Sequence, residues 1–241
     1  MLHRILWATL VAGIVAGLAT AALQHLTTTP LILEAEKYED TMAPTAYFGD
    51  ARLILAHAGE DHGDEDAWAP ADGIERTLYT SIATIGTAFG FALILLSAMI
   101  LANAPISART GLLWGMAGFA ATGLAPALGL SPELPGSAAA DLFARQVWWV
   151  GTAVATAAGL WLALRVSTPL AIAGGIVLMV LPHVVGAPHP HEYTSAVPSE
   201  LSGHFAAASL VVHAVMWAVA GSVAGYVWQR GEAKQAAAVA A

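Results

Sequence analysis

The sequence predicts an all-α integral membrane protein, a bundle of about six transmembrane helices with both termini on the cytoplasmic side. Three observations lead there. Of 241 residues, 57% are hydrophobic and 11% charged, where ordinary soluble domains carry about a quarter charged. Mean hydropathy is +0.66. Apolar runs recur at the length needed to cross a hydrocarbon core of about 30 Å, which takes roughly 20 helical residues.

The runs extend from Ile5 to Leu23, Thr77 to Leu101, Gly111 to Leu128, Gln146 to Leu164, Pro169 to Val185 and Phe205 to Trp228. The third and fifth are shortest and carry glycine or proline near their ends, which favours tilting, a break or a partly re-entrant course. The first also has features of a signal peptide, with Arg4 before it and small residues at Ala19 to Ala21. Its apolar length exceeds the usual 7 to 15 residues of such a segment. An uncleaved anchor is therefore expected, and cleavage would leave five spans.

Lys and Arg in short loops set the orientation. With the N-terminus inside, Arg4, Arg109, Arg165, Arg230 and Lys234 fall on the cytoplasmic side. Lys37, Arg52, Arg76 and Arg145 fall outside, three of them in a long acidic loop over 27–76. Sixteen of the seventeen acidic residues also lie outside, with Glu232 the exception. The remaining regions are an outer His-Pro loop over 186–204 and a tail over 231–241 expected to be disordered.

Composition excludes several classes of function. The chain has no cysteine, so disulfides, thiolate metal sites and cysteine nucleophiles are absent. A net charge of -8 with nine basic residues gives no footprint for nucleic acid. A phosphate-binding GxxxxGK[ST] loop is lacking too. Cationic partners suit the chain better.

Histidines sort to one side of this topology. His25, His57, His62, His183, His189, His191 and His204 lie at or beyond the outer ends of the spans, His213 lies deep in the last one, and His3 lies inside. In "HAGEDHGDEDAW", His57 and His62 alternate with five carboxylates across ten residues, a ligand set for divalent first-row ions. A solvated acidic loop explains that composition equally. In "LPHVVGAPHPHEY", Gly186, Pro188 and Pro190 prevent a regular helix. An extended His-Pro-His then turns His189 and His191 to the same side, where they could share one ion near His183.

His213 is the sharpest single residue, because an ionisable group deep in a span is costly and marks a functional site by default. Met216 and Trp217 share its face at i+3 and i+4. A neutral histidine hydrogen-bonded within the bundle is the alternative. His204 lies nine residues earlier, about 13 Å up a straight helix and on the opposite face. In "GLSPELPG", Glu133 sits at the apex of a rigid turn, available to an entering ion or to an ion pair with Arg145, which could also pair with Asp141. Four glycine pairs at i,i+4, in "GIVAG", "GTAFG", "GLLWG" and "GSVAG", read as close helix packing.

The segments "SPELPG", "RQVWWVGTAVATAAGL", "LPHVVGAPHP" and "VPSELSGHFAAASL", with the opening "ILWATLVAGIVAGLATAALQ", closely resemble the CbtA family, described as probable cobalt transporter subunits. The resemblance covers nearly the whole chain. It implies a multi-pass protein of the bacterial inner membrane that works with a small single-span, histidine-bearing subunit, CbtB, and supplies cobalt for cobalamin synthesis. Family positions carried over are Glu133, Arg145, Gln146, His183, Pro188 and Glu200.

The function expected is uptake of a divalent metal ion, cobalt with nickel as the alternative, by a protein that is not an enzyme and holds no permanent cofactor. Ligands would come from His183, His189, His191, His204, His25, His57, His62 and Glu133, and passage from His213, Met216, Thr84, Thr87, Thr122, Thr152 and Ser209. Three other readings compete. A haem subunit needs paired histidines at matched depth, a zinc hydrolase needs HExxH or its equivalent, and a structural or regulatory partner of another permease needs neither.

Overall fold

The structure, a computed structural model, describes residues 1–42, 70–71, 73–190 and 195–240. It is helical throughout, with no strand among the described residues. Helix α1 covers Leu2–Leu26, α2 Thr28–Met42 and α3 Ile74–Leu101. Helix α4, Ala108–Phe119, passes through a π turn at Ala120–Leu124 into the short α5, Ala125–Ala127. Helix α6, Leu142–Trp161, ends in a second π turn at Leu162–Val166, and α7, Pro169–Val185, and α8, Ser199–Ala240, complete the chain.

Four of these are long and apolar enough to cross a membrane: Leu2–Leu26, Ile74–Leu101, Leu142–Val166 and Ser199–Ala238. The other two expected spans take the forms that their glycines and prolines impose. Helix α7 has 17 residues, about 26 Å at 1.5 Å per residue. The third expected span is composite. Pro126 opens α5 and has no N–H to continue the α ladder, while Ala125 N–H reaches back five residues to Ala120 O, the π register.

Two stretches differ from the sequence reading. Thr28–Met42, expected within a loop, is a helix whose Ile32 and Ala35 pack with Leu134, Val197 and Leu201. Its charged residues hide a three-residue apolar spacing on one face. Helix α8 continues through Ala240, where a disordered tail is expected; alanine is the strongest helix former. The acidic run with His57 and His62, and also His191, lie outside the described residues.

Helices α1, α3, α4 and α8 form the core, each beside α8. Alanines line the central seam: Ala12 and Ala16 of α1, Ala88 and Ala92 of α3, Ala220 and Ala224 of α8. With lipid outside, burial of apolar surface does not drive helices together, so small residues that allow close van der Waals approach carry the association. A methyl group on Gly111 would stand 2.0 Å from Gly221 O, and one on Gly221 would stand 2.2 Å from Gly111 O. Gly13 and Gly17 likewise admit the α3 backbone at Phe89 and Ile85. The "GTAFG" pair is different, because Gly86 and Gly90 have nothing within 4 Å of an added methyl.

The helices alternate in direction, giving the bundle two poles. At one, Arg4 meets Glu232 at 3.0 Å, stacks 3.9 Å from the centroid of the Trp228 ring and donates to Trp228 O at 2.9 Å. Arg165 donates there to Ala102 O at 2.7 Å. The starts of α1 and α4 and the ends of α3, α6 and α8 thus share the basic pole. The opposite pole carries His25, His183, His189, His204, Glu133 and Arg145. Helix α7 packs on α6 and its π turn, making a hairpin that leans against the core through α6.

Candidate functional site

Chemistry inside the bundle centres on His213. Its imidazole lies 6.0 Å from the Phe91 ring, stacked, and 5.9 Å from Phe119, edge to face. The Trp217 indole donates its N–H to His213 Nε2 at 3.0 Å. Because indole nitrogen only donates, Nε2 is the unprotonated nitrogen and a neutral ring carries its proton on Nδ1. A metal at Nε2 must therefore displace Trp217. The π turn leaves room for the ring, since a methyl group on Gly123 would stand 2.9 Å from Nδ1.

Two cavities meet the His213 and Ser209 stretch of α8. The first, about 490 Å³, lies between α8, the first π turn, α5 and α6, and is lined also by Thr122, Glu133, Arg145 and Gln146. The second, about 560 Å³, lies between α1, α3 and α8, with Thr20, Gln24, Thr80, Thr84 and Thr87 in its wall and Met216 below. Thr84 donates to Gln24 Oε1 at 3.0 Å. Thr20 Oγ1 is buried with no hydrogen-bond partner and presents no surface to the cavity.

Charge in the first cavity is balanced. Arg145 Nη2 donates to Glu133 Oε2 at 2.6 Å with both side chains half-buried, and this pair holds the turn after α5 against α6. Asp141, the other acid within reach in sequence, instead caps α6 by accepting from Ala144 N at 2.8 Å. In the second cavity the polar lining is neutral oxygen, amide and imidazole. Such groups can replace part of a hydration shell but do not balance two positive charges.

The remaining ligand candidates are spread over the histidine pole. His183 lies edge-on to Trp148 with ring centroids 5.8 Å apart, and Trp148 Nε1 donates to Pro182 O at 3.2 Å. His25, His189 and His204 are exposed. No group of three or more His, Asp or Glu that could hold a metal ion comes together among the described residues. Thr152, expected along a path, is fully buried in α6 with its hydroxyl unpartnered and is absent from the lining of both cavities. Sequence reasoning missed Thr20, Gln24 and Gly123. The signal for Gln24 was an amide just inside the end of an apolar span, and nothing in the sequence marks Gly123 among its many glycines.

Four apolar helices of membrane-spanning length, with His213 set among them, define a multi-pass membrane protein. The chain belongs to the CbtA family, described as "probable cobalt transporter subunit", which matches it over residues 2–229. No curated protein and no solved structure matches it. The family is thus described by transport rather than by a reaction.

Proposed function

We propose that this chain is the membrane subunit of a cobalt uptake transporter, with nickel the nearest alternative ion, in the inner membrane of a bacterium. The observation that carries the reading is the placement of His213 and Ser209 in the walls of two mostly apolar cavities that also carry hydroxyl, amide and charged groups. Ions gather at the histidine pole on His25, His183, His189, His204 and Glu133, together with His57, His62 and His191, which lie outside the described residues, and pass along hydroxyls to His213 and Met216. Imidazole and oxygen donors suit Co(II) and Ni(II). In this reading α4, its π turn and α5 form one span and α7 another, giving six, N-in and C-in, with the basic pole in the cytoplasm. An inside-negative potential then drives a divalent cation inward by about 4 to 5 kcal/mol per 100 mV. A small single-span subunit of the CbtB type completes the transporter.

Two contacts favour a second reading. Glu133 is neutralised by Arg145 and Trp217 occupies His213 Nε2, as in a chain that supports another permease without an ion path of its own. Uptake of radiolabelled Co(II) by cells expressing the chain with its partner separates the two. At equal membrane abundance, the His183→Ala, His189→Ala, His191→Ala triple variant and the His213→Ala variant should each lose uptake. Full uptake in both would sink the ion path and leave the supporting role.

A further inference from the structure

A third chamber lies further along α6 than the first cavity, toward the basic pole. It measures about 430 Å³ and is bounded by α3, α4, α6 and Trp217 of α8, within the range of about 300 to 1,000 Å³ usual for small-molecule sites. Its lining is apolar along almost its whole length and carries one ionisable residue, Arg165, at the end. Ile94, Leu113 and Leu164 in the lining are 63%, 60% and 66% exposed, so the chamber opens on the outer face of the bundle, where the solvent is hydrocarbon.

Its dimensions identify the guest. From Ala157 of α6 to Arg165 of its π turn, the lining spans eight residue steps, about 12 Å at 1.5 Å per step. One leaflet of a hydrocarbon core about 30 Å thick is about 15 Å deep. The chamber therefore matches an acyl chain of a single leaflet in length, with its headgroup level at Arg165. Arg4, Arg76 and Arg145 each meet a carboxylate, whereas Arg165 has no carboxylate in salt-bridge range among the described residues. Its Nη2 donates to Ala102 O and its guanidinium lies 5.6 Å from the Trp161 ring centroid, which leaves other N–H donors for a phosphate.

We propose that this chamber binds one anionic phospholipid, its acyl chain between α6 and the α3–α4 core and its phosphate on Arg165. The lipid supplies contact area that the α6–α7 hairpin otherwise lacks, because α7 packs on α6 and its π turn alone among the extended helix contacts.

Native mass spectrometry tests this on the full chain, reconstituted in equimolar phosphatidylglycerol and phosphatidylcholine with identical acyl chains and then extracted in mild detergent. The wild type should retain one phosphatidylglycerol in preference to phosphatidylcholine. Arg165→Gln should cut that preference about fivefold, the factor one basic residue contributes at a lipid surface, and Arg165→Lys should restore most of it. Ala117→Leu, which fills the chamber, should lower retention of both lipids. Equal retention of the two headgroups by the wild type, or an unchanged preference in Arg165→Gln, would overturn the assignment and leave only annular lipid. Arg165 is exposed, so its replacement keeps the fold available for the measurement.

Discussion

Trp217 donates its indole N–H to His213 Nε2 over 3.0 Å, one helical turn apart on α8. The contact satisfies a buried donor and holds the ring between Phe91 and Phe119. It also withholds from any ion the nitrogen that a neutral imidazole would offer.

Trp217→Phe should therefore release that nitrogen while keeping the stack on Phe91, whose ring lies 4.7 Å away. Co(II) affinity of the purified protein is expected to rise about two- to tenfold, the equivalent of one hydrogen bond of about 0.5 to 1.5 kcal/mol. Titration followed by calorimetry reads it. An unchanged affinity removes His213 from the ligand set.

Glu133 and Arg145 hold the turn after α5 to α6. Breaking one partner strands a half-buried charge, so Glu133→Gln and Arg145→Gln should each cost about 1 kcal/mol, with part of the loss recovered in the double variant. Thermal melting in detergent gives the cycle. Strict additivity would mean that the pair contributes nothing.

Backbone contact between α4 and α8 leaves no room for a methyl group at Gly221. Gly221→Ala should cost about 1 to 3 kcal/mol or more through overpacking, seen as lower membrane abundance and an earlier melt. Gly90→Ala, where an added methyl meets nothing within 4 Å, should leave both unchanged. Equal effects from the two substitutions would contradict the packing.

Orientation can be read with single cysteines, since the chain has none of its own. His204→Cys and His25→Cys should react in intact cells with a maleimide that does not cross the membrane. Arg109→Cys and Arg230→Cys should react only after the cells are opened. The reverse pattern would turn the bundle over and with it the direction of ion capture.

Much of the fold was legible because apolar length is a one-dimensional property. The runs near α1, α3, α6 with its π turn, and α8 fall inside the helices found, and the two doubtful runs became the short α7 and the composite α4–α5. Helix α2 escaped because Glu34, Glu36 and Lys37 set its average polarity to that of a loop, while the Ile32 and Ala35 face has meaning only against Leu134 and Val197. The depth of His213 and its i+4 relation to Trp217 were also local and could be seen. That Ser209 and His213 meet two cavities depends on which helices flank α8. Those neighbours come from residues far apart in the chain, such as Gly111 with Gly221, and no window of sequence contains them.

The contact between Gly111 and Gly221 also constrains how this chain can vary over generations. Each position presents a backbone carbonyl where the other's methyl group would go. Elsewhere in a protein, growth at one site can be offset by shrinkage at its neighbour, but neither of these residues has a side chain to give up. Neither can change first and be rescued by the second. A lineage that keeps this seam is expected to keep both glycines.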